Sequence, residues 1–309
     1  MPPTTLRRTL SLAGLEVPVI ELTGAADGPR LTVLAGVHGC EYAPMAAVRR
    51  WARALAGREL RGRIRAVPVL NLPAFRARTP FLVPDDGKNL NRCFPGDPDG
   101  TVADRLAYAA FTQLIVGSDA VIDAPAGDMV EALEPFALYD AGPGEARALE
   151  LATAYGLGYV IRQEPGPDRA VGGTTSTAAA ELGIPAIIAE AGGCGLVEAA
   201  AVDAHVRGLD RVLALLGMTG DPAPGPGPAR PPARLGRFLW LRSTSEGWWE
   251  PGVRPGEQVA EGQVLGTVTS LDGAEVRQTV TAPAPGVPMF ITSSPAVAAD
   301  GLLLGLGAR

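Results

Sequence analysis

Two side chains suited to binding metal, His38 and Glu41, are separated by two residues in the stretch LTVLAGVHGCEYAP, residues 31–44. Zinc accepts such a mixture of imidazole nitrogen and carboxylate oxygen. The same residues also fit a plainer arrangement, a loop histidine followed by a glutamate that opens a helix and is favoured by its dipole. A motif of two residues does not choose between these readings. What precedes it narrows the location. Leu31 to Val37 is apolar but for Thr32, the pattern of a strand buried on both faces, and Gly36 and Gly39 free the backbone to turn. Residues just past such a strand sit at the carboxyl edge of an open α/β sheet, where ligands bind.

The elements that must hold this edge alternate along the chain. Residues 5–23 read as a β-hairpin with turn signals at Ala13-Gly14 and Gly24. Met45, Val48, Trp51, Ala52 and Leu55 fall at helical spacing and predict a helix over 43–55, followed by a strand over 64–70. Residues 71–96 form a long loop punctuated by Pro and Gly, and long loops in regular domains are commonly functional. A helix over 101–116, a short strand from Ala120, a helix over 144–155 and a strand over 158–162 follow. GGTTSTAAAELG has the form of a capped helix, and Ala186 to Glu190 of a buried strand that ends on a carboxylate. A long helix over 196–216 closes this part. The alternation predicts an α/β domain over 1–219, a sheet covered by helices. Residues 220–233, GDPAPGPGPARPPA, read as a Pro/Gly linker. Beyond it, 234–309 predicts a small all-β barrel-sandwich that resembles the lipoyl/biotinyl type. The carrier lysine of that type is absent from the turn SLDGAE, so a structural or lid role is expected.

Composition narrows the partners. The chain has 309 residues, net charge −6 and 47% hydrophobic residues, and Lys88 is its only lysine. No dense basic block points to nucleic acid or an anionic membrane, and no apolar run approaches a membrane span, so a small molecule is the expected partner. The N-terminus does not resemble a signal peptide, and three cysteines give no disulfide framework, which makes the cytoplasm the expected location. The sequence leaves the oligomeric state, a homo-oligomer included, open.

Five segments in order, VHGCE, NLPAFRARTPF, DGKNLNRCFPG, VIDAPAGDMVEALEPFALY and GIPAIIAEAGG, resemble the succinylglutamate desuccinylase/aspartoacylase family of zinc-dependent hydrolases. The resemblance implies a carboxypeptidase-like mixed sheet flanked by helices, and the appended barrel is also familiar from these proteins. It implies His38 and Glu41 as zinc ligands, Asn91 and Arg92 as the binding site of a substrate carboxylate, and Glu190 as the general base that activates water and then protonates the leaving amine. The chemistry agrees, since a guanidinium holds a carboxylate bidentately and a carboxylate is suited to that proton shuttle. Without the resemblance, Arg92 reads as a surface arginine after a turn and Glu190 as a strand-end carboxylate that pairs locally.

The departures bear on the chemistry. Where the family has D-L-H-G-G with its third zinc ligand, this chain reads DAPAG, so Pro125 stands in the histidine position. Where the family usually has a carbonyl-polarising arginine, this chain has Pro80, with Arg78 the candidate to replace it. Asp123 and Asp128 flank the third-ligand position and suit either a metal or loop hydrogen bonds. Cys40, Cys93 and Cys194 each lie inside a motif, as soft ligands, a nucleophile or small buried hydrophobes. His205 is expected on the surface or packed in its helix. The first expectation is therefore a hydrolase acting on an amide of a small N-acyl amino acid or related carboxylate, with an atypical zinc site. The alternatives are a metal-free acid/base or acyl-transfer enzyme and a catalytically silent binding protein.

Overall fold

A computed structural model describes residues 4–164, 172–220 and 230–309. The first part of the chain runs β1 (Thr4–Leu12), β2 (Leu15–Thr23), β3 (Ala26–Ala35), α1 (Tyr42–Ala54), β4 (Arg61–Val67), α2 (Leu72–Ala77), α3 (Val102–Ala110), β5 (Ala120–Ala124), β6 (Glu131–Leu133), β7 (Phe136–Asp140), α4 (Glu145–Tyr155), β8 (Tyr159–Gln163), α5 (Thr175–Glu181), β9 (Ala186–Glu190) and α6 (Ala199–Leu215). It continues as β10 (Ala233–Leu235), β11 (Arg237–Arg242), β12 (Gly247–Pro251), β13 (Val264–Thr269), β14 (Val276–Thr281), β15 (Gly286–Thr292), β16 (Ala296–Val297) and β17 (Leu302–Ala308). Among the described residues no helix is long and apolar enough to cross a membrane.

A nine-stranded mixed sheet in the order β1-β2-β4-β3-β5-β9-β7-β8-β10 is the frame. Its centre, β3, β5 and β9, is parallel, and these are the strands whose apolar runs have no polar face to offer water. Trp51 of α1, Leu151 of α4 and Leu209 of α6 cover one face, and Leu106 of α3 and Ala178 of α5 belong to the core on the other. The expected α/β architecture is thus present, carboxypeptidase-like with helices on both faces.

The C-terminal strands form two antiparallel four-stranded sheets, β11-β17-β15-β6 and β14-β13-β12-β16, around Trp249, Leu265, Leu304 and Leu306. The first of these sheets is completed by β6, which comes from the N-terminal part and pairs with β15. Conversely β10 adds to the edge of the large sheet by pairing with β8. The boundary expected between 233 and 234 therefore falls inside a strand of the large sheet, because an unpaired sheet edge takes up the chain as it leaves the linker. The Pro/Gly stretch itself lies mostly outside the described residues.

Candidate active site

Parallel β3, β5 and β9 deliver their ends to one edge of the sheet, since Ala35 is paired with Ala124 and Asp123 with Ile188. His38, Pro125 and Glu190 emerge there together and line one cavity of about 1430 Å³. The exit from β3 is held by Asn71, whose amide donates to the Val37 carbonyl at 3.1 Å while its Oδ1 accepts from Ala74 N and caps α2. Gly39 allows the close approach of this turn, for a Cβ there would lie 2.4 Å from the Ala74 backbone.

His38 Nδ1 lies 2.6 Å from Glu41 Oε1, and His38 Nε2 lies 2.9 Å from Asn89 Oδ1. Asn89 Oδ1 also accepts from the Asn91 N–H at 2.9 Å, which establishes it as the acceptor end of its amide. Both ring nitrogens therefore face acceptors and both donate. Burial draws the imidazole pKa down, but the charge and hydrogen bond of Glu41 outweigh it and raise it to about 9. Glu41 Oε2 is buried without a hydrogen-bond partner.

The loop 89–92 is clamped from below. Asn91 Oδ1 accepts from Thr175 N at 3.0 Å and its Nδ2 donates to Asp123 Oδ2 at 3.3 Å, while Thr175 Oγ1 donates to the same carboxylate oxygen at 2.6 Å. Asn91, expected at the substrate, lines the cavity and also joins the loop to α5 and β5. Arg92 then opens into the cavity, its Nη1 donating to the Asn91 carbonyl at 2.8 Å, with Glu190 and Glu131 as the charges that act on it. Burial and the neighbouring Glu41 and Glu131 carboxylates hold Glu190 well above the usual carboxylate range.

Residues 27–216 match the succinylglutamate desuccinylase/aspartoacylase catalytic domain. The chain is 32% identical over 254 residues, 78% of its length and 71% of the other's, to N-alpha-acetyl-L-2,4-diaminobutyric acid deacetylase of Halomonas elongata. This protein belongs to the succinylglutamate desuccinylase/aspartoacylase family. Its fold agrees. The ectoine utilization protein EutE (DoeB) from Ruegeria pomeroyi superposes with a TM-score of 0.85 at 24% identity, covering 99% of this chain and 95% of that one. Succinylglutamatedesuccinylase/aspartoacylase from Rhodobacter sphaeroides gives 0.83 at 23% identity, covering 98% and 95%. This family member is a deacylase-type hydrolase of amide bonds.

The family's zinc tests this desuccinylase/aspartoacylase site directly. His38 Nδ1 and Glu41, with its orphaned oxygen, supply two donors that face each other, and Asn89 supplies the outer hydrogen bond that orients a ligating imidazole. The third position is Pro125, which has no side-chain donor, and among the described residues no three His, Cys, Asp or Glu side chains converge on a metal position. A catalytic zinc site needs three protein ligands and an open position. The residues present do not fit it.

Nor do the substitutes offered by the sequence converge there. Asp123 is buried against Asn91 and Thr175 and is not among the cavity-lining residues; burial raises its pKa to about 6. Asp128 does line the cavity, but its Oδ1 accepts from Val130 N at 2.8 Å and shapes the turn. Arg78 is exposed at the left-handed C-cap of α2 and is not among the cavity-lining residues, so it does not replace the family's carbonyl-polarising arginine. The thiols stay apart as well: Cys40 accepts from Tyr42, Cys93 donates to the Asn89 carbonyl, and Cys194 lies beside Ser293 of the β15–β16 turn.

Three features escaped the sequence reading. Asn89 is the second partner of His38, and its position two residues before Asn91 was the available signal. Glu131 lines the cavity with its pKa raised to about 7, chiefly by burial and then by Asp128; a glutamate at the end of a quoted motif was the hint. The third is an aromatic wall from the C-terminal strands, for which separate segments left no spacing signal.

Proposed function

We propose that this protein hydrolyses the amide bond of an N-acyl amino acid or a related small carboxylate. The observation that carries this reading is the shared cavity of Arg92 and Glu190, in which an anion-binding guanidinium stands within electrostatic reach of a carboxyl group of unusual pKa. The relative from Halomonas is named for removing acetyl from an N-acyl amino acid, which supports the substrate class. Arg92 holds the substrate carboxylate through its planar fork. Glu190 takes a proton from a water whose oxygen bonds to the acyl carbon; the carbon–nitrogen bond then breaks, and Glu190 returns that proton to the departing amine. The products are the free acid and the free amine. No step is assigned to a metal, because the donor set lacks its third member.

Glu190→Gln is expected to lower kcat by about 10²- to 10⁴-fold while leaving the melting temperature in place. Wild-type turnover in that variant would remove Glu190 from the reaction. The base must be charged to act and its pKa is raised, so kcat/KM is expected to climb with pH above the ordinary carboxylate range.

A further inference from the structure

The cavity is larger than the chemistry at Glu190 and Arg92 requires. Pockets for drug-sized ligands run to about 300–1,000 Å³, and this one reaches about 1430 Å³ because it continues from the sheet edge to the C-terminal strands. Its far wall is aromatic. Phe136 stacks on Phe238 with centroids 5.7 Å apart, and Phe238 stacks on Phe290 at 6.1 Å. Trp240 closes the group at 5.0 Å from Phe238 and 5.3 Å from Phe290.

Strand register makes this wall part of the site. Phe136 of β7 is directly opposite Glu190 of β9, and such partners place their side chains side by side on one face. Phe290 of β15 is opposite Leu133 of β6, two residues from Glu131. The strand between the aromatic ones carries glycine where the rings lie: Gly305 is paired with both Trp240 and Phe290, and a Cβ there would come within 2.3 Å of the Phe290 ring and 2.5 Å of the Phe238 ring. The Phe238 and Phe290 rings pack over Gly305, and the Trp240 ring is inclined to them by 60° and 53°. Leu304 and Leu306, on either side of it, point into the core of the C-terminal sheets. Phe238 and Trp240 are only half-buried and line the cavity, and Trp240 Nε1–H is buried with no hydrogen-bond partner.

In sheet order Glu190 on β9 stands between β5, to which Asn91 anchors the Arg92 loop, and β7, which carries Phe136. A substrate held by its amino-acid carboxylate at Arg92, with its amide at Glu190, extends its acyl group onto the aromatic wall. We propose that this wall is an acyl subsite and that the substrate's acyl group is a planar aromatic one. This deepens the deacylase reading above and rests on it.

The test reads binding and turnover separately. Calorimetry in the Glu190→Gln background, which keeps amides intact, is expected to show N-benzoylglycine binding about tenfold or more tighter than N-acetylglycine. Trp240→Phe keeps an aromatic ring, so it should spare most of the benzoyl gain. Trp240→Ala and Phe238→Ala should erase that gain, so that the acetyl and benzoyl compounds bind alike. Equal binding of the acetyl and benzoyl compounds overturns the proposal, whatever the variants' folding. So does a gain for N-acetylphenylalanine in place of N-benzoylglycine, which would put the aromatic group on the amine side. Tight aroyl binding with no hydrolysis by the wild-type protein would sink the deacylase reading and leave the subsite standing. Hydrolysis with equal kcat/KM and equal binding for acetyl and aroyl substrates would do the reverse.

Discussion

The chain has two histidines, and they make an internal comparison. His38 stands at the sheet edge between Glu41 Oε1 and Asn89 Oδ1, two acceptors, and its pKa rises to about 9. His205 is buried in α6 with Nε2 donating to the Ala191 carbonyl at 3.0 Å, so Nδ1 is left to accept from the Tyr155 hydroxyl at 2.9 Å. That neutral tautomer is fully satisfied, and burial lowers its pKa to about 4. Burial pushes both rings towards neutrality. The difference lies in the neighbours: a carboxylate reverses the push at His38, and a carbonyl and a hydroxyl do not reverse it at His205. One histidine is thereby a charged member of a site, and the other a core residue that ties α6 to the chain just after β9.

Removing the carboxylate should collapse this contrast. In Glu41→Gln the imidazole loses the partner that opposes desolvation, and its pKa, read by NMR titration of the ring, is expected to fall from about 9 to below the ordinary 6.5. A midpoint that stays near 9 would show that Glu41 does not set the charge of His38.

The pH dependence of stability should separate the two rings by sign. The folded pKa of His38 lies above the unfolded value, so its contribution is complete below pH 6.5 and is lost as pH rises towards 9. The folded pKa of His205 lies below the unfolded value, so its contribution is complete above pH 6.5 and is lost as pH falls towards 4. For His205 the loss amounts to about 3 kcal/mol, the free energy of a shift of this size. Denaturant midpoints of wild-type protein and of His205→Gln, measured across this range, test it. A wild-type acid limb no steeper than the variant's would assign acid sensitivity to the carboxyl groups instead.

A smaller effect is expected from adding a third histidine. Pro125→His places an imidazole beside His38 and Glu41, and zinc retained per chain after dialysis is expected to reflect an affinity gain of about 100-fold or more, at the upper end of what loss of an outer-sphere partner costs. Unchanged zinc content would mean that the turn after β5 no longer follows the path that brings its third residue to the metal position.

Much of the frame was readable from local pattern. Leu31 to Val37, apolar but for Thr32, and Ala186 to Ala189 show their burial in apolar side chains, and Thr174 caps α5 in the manner that its sequence predicts. The relation of His38 to Glu41 was readable too, because three residues of chain separate them. Other roles depend on partners far away in sequence. Asn91 lines the cavity, but only the fold shows that its amide also ties the loop to Thr175 and Asp123. Arg78 reads as a replacement arginine until the end of α2 leaves it exposed, not among the residues of the cavity.

By itself, the sequence determined the family, the apolar strand that leads to His38 and Glu41, and the missing donor at Pro125, since each is a property of residue type and short spacing. Only the tertiary structure decided which charges those residues carry and what surrounds them. Glu131 acquires its raised pKa from burial, and Phe136, Phe238, Trp240 and Phe290 become one wall only when β6 crosses into the C-terminal sheet and β7 packs beneath it. Desolvation and cross-strand register are sums over distant segments, and no local run of residues encodes such a sum.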